Sequence, residues 1–288
     1  MLGSIYGDKA GSIYEFNQTK KIESINPEKL ILPNSFYSDD TIETIAVIDA
    51  IVDNKDYEET LRKYILDNID YKPNFKPYFK NSFSPGTIKW AKGIGRNNSI
   101  GNGAMMRISP VGFLFNSENE VIENARLVTI LSHNSAEAIE SATIIALMIY
   151  YFRNGLTKEE VFRKLNLLVK YEPFEKFNMT CKETLNNCLY AIYNSTSFED
   201  SIRKTLLMGG DTDTNCCIVG SVAESLYGMS EVQKKDAISG LPNEYQKVLK
   251  RVYKWYLFIN SFSYKKSTYF LTITAWRLWP HGRSYKFS

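Results

Sequence analysis

The amino-acid sequence predicts an all-α fold, and three observations point to that class. Apolar residues recur at the helical period in several segments, of which DDTIETIAVIDAIVDN, residues 39–54, is a clear example. Helix-start patterns precede other apolar segments, because Ser117 with Glu120 and Thr157 with Glu160 have the spacing of a capping box. Convincing strand patterns are nearly absent before residue 260. The first 260 residues are therefore expected to form one compact helical domain.

The predicted helices follow one another through most of this domain. Ser135 is expected to begin a helix over AEAIESATIIALMIYYFRNG, which Gly155 would end. The segments CKETLNNCLYAIYN, SFEDSIRKTLLM and EYQKVLKRVYKWYLF continue the same pattern. Residues 71–103 are rich in Pro, Gly, Asn and aromatic residues, and we predict long ordered loops there. Loops of that length in a compact domain are usually functional.

Residues 261–288 differ in composition from the rest of the chain. They contain STYFLTITAW, which alternates like a strand, and they hold five basic residues and no acid. We therefore expect a domain over residues 1–260 and an atypical aromatic, basic tail of unknown role. Without the tail, the net charge of +3 becomes close to neutral. The domain lacks the basic stripe that nucleic-acid binding requires, so a nucleic-acid partner is not expected.

The sequence favours a cytoplasmic protein. The longest apolar run, residues 142–152, is far shorter than the ~20 residues of a membrane-spanning helix, so no membrane partner is expected. The four cysteines do not form the pattern of a disulfide framework. Cys216 and Cys217 are neighbours within an apolar helical segment, where buried free thiols are the expected state.

Two acidic segments share one design. YSDDT, residues 37–41, and GGDTDTN, residues 209–215, each place a hydroxyl and two carboxylates at the start of a predicted helix. Such oxygen ligands suit Mg²⁺ or Mn²⁺, whereas the chain offers no His/Cys spacing for zinc. For one such segment alone, helix capping is the favoured explanation. Four carboxylates that converge without a cation would repel one another, so two segments that meet in space predict a dinuclear metal site.

Other acidic motifs fit GGDTDTN less well. A calcium-binding EF-hand loop that starts at Asp211 would need glycine at Cys216 and glutamate at Val222. Phosphotransferases that use an Asp-x-Asp-x-Thr/Val loop place it after an apolar strand. Here Asn215 stands at the fifth position and glycines precede the motif. A magnesium-dependent phosphotransferase or phosphatase therefore remains a distant alternative.

Five motifs, in family order, resemble those of the ADP-ribosylglycohydrolase family, which includes dinitrogenase reductase-activating glycohydrolase and the ADP-ribosyl-acceptor hydrolases. They are LGSIYGDKAGSIYEF, YSDDT, GNGAMMRISPVG, LSHNSAEAIESA and GGDTDTNCCIVGSVAESLYG. Each motif alone is weakly specific, whereas five in order are strongly so. Two departures stand out, because Ser38 replaces the threonine of many members and Glu224 replaces a small residue. Glu224 lies about three helical turns beyond Asp213, too far to bind the same metal ions.

The resemblance implies an orthogonal all-α domain with two Mg²⁺ or Mn²⁺ ions at helix termini. By motif position, the implied metal ligands are Ser38, Asp39, Asp40, Asp211, Asp213 and Thr214. The implied catalytic residues are Glu15, Asp39 and Asp40. The implied substrate-binding residues are Gly101, Asn102, Gly103, Met105, His133 and Ser135. We expect His133 to contact the substrate rather than to act as a base, and Ser135 to cap a helix beside the ligand.

The resemblance also implies an activity. The expected enzyme is a metal-dependent hydrolase that cleaves the C1″ glycosidic bond between ADP-ribose and an acceptor nitrogen or oxygen. Its partner would be an ADP-ribosylated protein or a small molecule that contains ADP-ribose. The main alternative is a catalytically inactive protein of the same fold that binds ADP-ribose or metal ions. Retention of all six implied metal-binding positions favours the enzyme.

Overall fold

The computed structural model describes residues 1–15, 25–26, 28–73, 82–174 and 177–252, and within these ranges it contains helices and no strand. The all-α prediction is therefore confirmed. The helices are α1 (Leu2–Gly11), α2 (Asp39–Val52), α3 (Tyr57–Asp67), α4 (Pro85–Ala91), α5 (Gly103–Met106), α6 (Ser109–Leu114), α7 (Glu118–Ile130), α8 (Ala136–Arg153), α9 (Lys158–Lys164), α10 (Cys181–Asn194), α11 (Phe198–Met208), α12 (Thr212–Tyr227) and α13 (Glu231–Ile238). Residues 243–252 are also helical.

Helices α1 and α12 pack with their backbones in direct contact at the centre of the domain. Glycines recur every four residues along α1, at Gly3, Gly7 and Gly11. A Cβ atom at Gly7 would lie 1.9 Å from the carbonyl oxygen of Cys216, and one at Gly11 would lie 2.2 Å from that of Thr212. Only glycine leaves room for this approach. The stripe brings the end of α1 beside the start of α12.

Replacing Gly7 with alanine is expected to destabilise the protein by about 1–3 kcal/mol or more, because the added methyl group must push two helix backbones apart. Gly86 provides a matched control. It also lies in a helix, and a Cβ there would meet only the Ser84 hydroxyl, at 3.6 Å. Gly86→Ala should be neutral or slightly stabilising. Urea unfolding of both variants measures the difference, and equal effects would contradict this account of the packing.

The described helix boundaries follow the predicted helix-start and helix-end patterns closely. Both predicted capping boxes are present, with Ser117 before α7 and Thr157 before α9. The Ser135 side chain accepts from the Ala138 N–H at the start of α8, and Gly155 has φ of +88° just after that helix. These predictions are confirmed because capping depends on residues within a few positions of each other.

The prediction of unbroken loops over residues 71–103 was wrong for its central part, where α4 lies. The Ser84 side chain accepts from the Thr87 N–H at 3.1 Å, and Pro85 occupies the first helical position. Proline there begins a helix readily because its φ is already helical and its missing N–H would have had no partner in the helix. Ser-Pro was thus a helix-start pattern inside a segment whose composition resembles a loop.

The chain divides into two compact units, Met1–Leu249 and Lys250–Ser288, and the second lies almost wholly outside the described residues. The predicted domain boundary after residue 260 and the strand over residues 267–276 also fall there, so both stay predictions. All four cysteines are buried and free, as expected for Cys216 and Cys217. None of the described helices combines the length and apolar character that a bilayer crossing requires.

Candidate functional site

The starts of α2 and α12 meet in space, although the two residues that join them, Asp40 and Thr214, lie 174 positions apart in the chain. The link is direct, because the Thr214 hydroxyl donates to Oδ2 of Asp40 at 3.2 Å. The Ser38 hydroxyl donates to the same oxygen at 3.0 Å. The two acidic segments of the sequence therefore form one site, which the end of α1 completes.

Five carboxylates form two overlapping groups at this site. Asp8, Asp40 and Asp213 make up the first group, and Glu15, Asp211 and Asp213 make up the second. Within each group, one oxygen of every carboxylate lies within 4.8 Å of the others. Asp213 belongs to both groups, so it connects them. All except Glu15 are buried, and Glu15 is half-buried.

Three carboxylate oxygens at this site are buried without any hydrogen-bond partner among the described residues. They are Oδ1 of Asp8, Oδ1 of Asp40 and Oε2 of Glu15. A buried carboxylate oxygen without a partner is costly, and either a proton or a cation relieves the cost. Because the donors are all carboxylate and hydroxyl oxygens, the residues fit a hard divalent cation such as Mg²⁺ or Mn²⁺.

Burial and mutual repulsion raise the pKa of these acids. Burial raises the pKa of Asp8 and of Asp211 to about 6. Burial, followed by the charges of Asp213 and Asp8, raises the pKa of Glu15 to about 9. The pKa values of Asp40 and Asp213 lie well above the ordinary range, first through burial and then through neighbouring carboxylates. Without a cation, the site therefore retains protons at neutral pH.

In the absence of divalent cations, the melting temperature of the protein should fall by at least about 5 °C between pH 5 and pH 9. The folded acids hold protons, with pKa values of about 6 for Asp8 and Asp211 and about 9 for Glu15. The unfolded chain loses these protons near pH 4. This stabilising contribution is therefore complete below pH 4 and is lost as pH rises towards 9.

Thermal unfolding at pH 5, 7 and 9, in a chelator or in excess Mg²⁺, measures this dependence. The cation takes the place of the protons, so Mg²⁺ should raise the melting temperature most at high pH and flatten the curve. If neither Mg²⁺ nor Mn²⁺ changed the dependence of the melting temperature on pH, cation binding by these acids would be contradicted.

Capping explains only part of the two acidic segments. Ser38 caps α2, because its hydroxyl accepts from the Asp40 N–H at 3.2 Å. Asp211 occupies the corresponding position before α12, yet its side chain makes no capping hydrogen bond. It accepts instead from the Asn102 amide at 2.7 Å. Asp211 therefore does not cap its own helix. Its carboxylate belongs instead to the five carboxylates described above, which are called the acid cluster below.

Asp8 is a member of the cluster that sequence analysis missed. Its Oδ2 accepts from the Ser38 N–H at 2.9 Å, from the Thr41 N–H at 3.1 Å and from the Thr41 hydroxyl. These bonds fix the start of α2 against α1 and leave the buried Oδ1 without a hydrogen-bond partner among the described residues. The available indication was a single acid within the small and apolar residues of LGSIYGDKAG, a costly residue to bury without a role.

Asp39 lies outside both groups of acids in the described part of the chain. Its Oδ1 accepts from the Ser82 hydroxyl at 3.0 Å. Its backbone N–H donates to the oxygen of the same Ser82 hydroxyl at 2.7 Å. Burial and then the charge of Glu43 raise its pKa. Its predicted roles as metal ligand and catalytic residue stay predictions.

Gly101, Asn102 and Gly103 form a loop, called the glycine loop below, that lies between the acid cluster and His133. Asn102 is buried, and its N–H donates to the Met179 carbonyl at 2.8 Å. Its bond to Asp211 ties the loop to the cluster. A Cβ at Gly101 or Gly103 would lie 3.5 or 3.4 Å from Nε2 of His133. These four predicted substrate-binding residues therefore come together beside the acids.

Three other residues of the predicted motifs, Met105, Ser135 and Glu224, belong to neither group of acids. The Met105 side chain is fully buried in the core, and Ser135 caps α8 while its hydroxyl also donates to the Ser99 carbonyl at 3.3 Å. Their predicted substrate contacts stay predictions. Glu224 accepts from the Gly3 N–H at 2.7 Å, so it caps the start of α1. Asp8, which belongs to the acid cluster, lies near the other end of that helix.

Comparisons with known proteins agree with the motifs. A family model described as ADP-ribosylglycohydrolase matches residues 1–259. The ADP-ribosylhydrolase ARH3 of Mus musculus is 21% identical, with 81% of this chain and 84% of the relative covered, and that of Homo sapiens is 22% identical, with 81% and 85% covered. The ADP-ribosylarginine hydrolase Tri1 of Pseudomonas putida (strain GB-1) is 23% identical over 51% of this chain and 42% of that protein.

The fold also has a solved counterpart. A structure described as an ADP-ribosylglycohydrolase-related protein complex aligns with a TM-score of 0.64 and 18% identity, covering 88% of this chain and 96% of that chain. At this identity the likeness shows a shared fold. The family model provides the wider match, because it spans nearly all of the chain from the glycine stripe of α1 past α13. The chain therefore belongs to the ADP-ribosylglycohydrolase family.

Proposed function

We propose that this protein is a metal-dependent hydrolase that cleaves the C1″ glycosidic bond between ADP-ribose and an acceptor on a protein or small molecule. The observation that carries the proposal is the set of three buried, unpartnered carboxylate oxygens of Asp8, Asp40 and Glu15. Family membership supports it, as do relatives described as hydrolases of ADP-ribosyl groups. A cytoplasmic location, expected from the cysteines and the lack of a long apolar run, belongs to the same proposal.

Two divalent cations would be held where the acidic segments meet. The proposed ligands are Ser38, Asp39, Asp40, Asp211, Asp213 and Thr214. Asp8 would add negative charge beside Asp40 and Asp213. When bound, the cations would supply positive charge that orients and polarises oxygen atoms of the substrate.

The side chains of the site would share the acid–base work. Oε2 of Glu15 is buried without a hydrogen-bond partner among the described residues, and this carboxylate would position an attacking water or a ribose hydroxyl. Asp39 and Asp40 are the proposed proton acceptors for an attacking water. Carboxylates around the ribose would also stabilise the positive charge that develops at C1″, as in sugar hydrolysis.

The glycine loop would receive the rest of the substrate. Gly101 and Gly103 lack side chains, so a ligand can approach the backbone there. The Gly101 N–H already donates to the Ser99 hydroxyl and the Asn102 N–H to the Met179 carbonyl, so the Gly103 N–H is the proposed donor to a phosphate oxygen. The bond from Asn102 to Asp211 holds this surface in register with the acids. His133 would contact the ligand as a neutral donor, because burial lowers its pKa to about 3 and leaves it unable to act as a base.

A panel of substrates tests the proposal. Arginine-linked and serine-linked ADP-ribosyl proteins are incubated with the wild type in Mg²⁺, in Mn²⁺ and in a chelator, and free ADP-ribose is measured. Release that depends on the cation is expected for at least one linkage. Binding of ADP-ribose without release from any acceptor would favour the inactive binding protein, and phosphate release from phosphoesters would favour the phosphotransferase.

A further inference from the structure

A buried ion pair lies directly behind the glycine loop and belongs to neither group of acids. Nη1 of Arg107 donates to Oε2 of Glu43 at 2.5 Å, and each side chain is only 2% exposed. Glu43 lies on α2, one turn beyond Asp40. Because burying two charges costs desolvation energy, an ion pair of this kind contributes little net stability by itself. Its contacts with neighbouring side chains indicate its role.

The Arg107 guanidinium connects this pair to His133 through Ser132. Its Nη2 donates to the Ser132 hydroxyl oxygen at 2.6 Å and to the Val128 carbonyl at 3.3 Å. The same hydroxyl oxygen lies 2.7 Å from Nδ1 of His133. Three acceptors on α2, on α7 and just after α7 therefore fix the guanidinium in one orientation.

The direction of these bonds determines which ring nitrogen of His133 carries the proton. An arginine N–H can only donate, so the Ser132 oxygen accepts from Arg107. Its own proton is then available for Nδ1 of His133, which is its other side-chain partner among the described residues. The hydroxyl oxygen could also accept a second bond, but Nδ1 is the only acceptor within reach of the Ser132 proton among the described residues. The arrangement that satisfies this proton makes Nδ1 an acceptor, and a neutral imidazole then carries its own proton on Nε2. The ring is neutral because burial and the Arg107 charge lower its pKa.

Nε2 of His133 faces the loop that ends at the acid cluster. It has no hydrogen-bond partner in the described part of the chain, and glycines at positions 101 and 103 keep the space beside it open. The backbone is held as well, because the His133 N–H donates to the Thr129 carbonyl at 2.9 Å. An unpartnered donor is thus presented, in fixed orientation, at the surface proposed to receive the substrate.

We propose that Glu43, Arg107 and Ser132 are positioning residues that hold His133 in its Nε2–H form, so that the ring donates a hydrogen bond to a phosphate or hydroxyl oxygen of the substrate. The substrate part rests on the proposed function. The opposite tautomer would direct a lone pair at the same oxygen, which would be repulsive. A neutral donor also adds no positive charge beside the metal ligands.

The chain is well suited to a spectroscopic test, because it has only two histidines, His133 and His281. In a His281→Gln background, ring-labelled ¹⁵N NMR reports the tautomer of His133 alone. At pH 7 the wild-type ring should be neutral with its proton on Nε2. Ser132→Ala removes the donor to Nδ1 and should give a mixture of tautomers, whereas Ser132→Thr keeps a hydroxyl and should restore the Nε2–H form.

The ion pair is tested with the double variant Glu43→Gln/Arg107→Met, which leaves no unpaired charge in the core. It should shift the tautomer as Ser132→Ala does. ADP-ribose affinity, measured by calorimetry, should fall about 3- to 10-fold in both variants and recover in Ser132→Thr.

An Nδ1–H or charged ring in the wild type, or one tautomer unchanged in both variants, would overturn the positioning role. A changed tautomer with unchanged affinity would overturn the donor role. Failure of the wild type to bind ADP-ribose would count against the proposed function instead, because the tautomer is measured without any ligand.

Discussion

Replacing Asp213 with asparagine is expected to lower metal-dependent release of ADP-ribose by at least about a hundredfold and, at the same time, to make the metal-free protein more stable. The loss of activity follows because Asp213 is shared by both groups of acids, so its carboxylate is the one most needed to hold cations. The opposite effect on stability follows from the charges in the site.

The stability gain arises because burial and then the charge of Asp211 raise the pKa of Asp213. At pH 7 the folded protein must either hold a proton on this group or bear its buried charge, and both oppose folding. Asparagine removes that conflict, and a gain of about 1–2 kcal/mol is typical when a functional-site conflict is relieved. The variant should also lose the rise in melting temperature that Mg²⁺ causes in the wild type.

Asp67→Asn is the matched control for this experiment. Asp67 is an exposed acid on α3 that pairs with Lys63 four residues earlier. Its replacement should change stability by less than about 1 kcal/mol and leave both activity and the Mg²⁺ effect intact. If Asp213→Asn kept its turnover, or destabilised the metal-free protein, the acid cluster would not be the proposed metal site.

Replacing Arg107 alone with methionine should destabilise the protein by about 3–5 kcal/mol, because it leaves the buried Glu43 carboxylate without its partner. Glu43 and Arg107 are both almost fully enclosed, so water cannot take the place of the lost guanidinium. Burial already raises the pKa of Glu43 against the opposing effect of Arg107, and removal of Arg107 would raise it further.

The double variant Glu43→Gln/Arg107→Met separates the lone charge from the loss of packing. It should recover most of the stability, since replacing both members of a buried pair is often close to neutral. Urea unfolding of the two single variants and the double variant gives the coupling free energy directly. Additive effects would show that the pair is not coupled in the folded protein.

The local patterns of the sequence were sufficient for the helices that begin at a recognisable cap and for the residue types of the two acidic segments. Capping by Ser117, Thr157 and Ser135 depends on contacts within one helical turn, so the sequence contains all the information required. The composition of residues 71–103 predicted loops, because it is rich in Pro, Gly and Asn, but Ser84 and Pro85 begin the helix α4 within this segment. There, a local pattern should have outweighed composition.

Contacts between distant segments could not be obtained in this way. Asp8 entered the acid cluster because the glycine stripe of α1 packs against α12, and no spacing within α1 indicates which helix will lie against it. Asp39 and Asp40 are adjacent and alike in sequence, yet only Asp40 faces Asp213 within a group of acids. The tautomer of His133 depends on Arg107, whose position behind the ring is likewise a product of packing.

By itself, the sequence determined that the chain is all helical, that two acid-and-hydroxyl segments begin helices, and that five ordered motifs mark one family. Only the tertiary structure decided which acids share a site and which oxygens are left without partners. The physical reason is that helix formation depends on neighbours in the chain. Convergence of the acids depends instead on close packing between helices whose contacting residues, such as Asp40 and Thr214, are 174 positions apart.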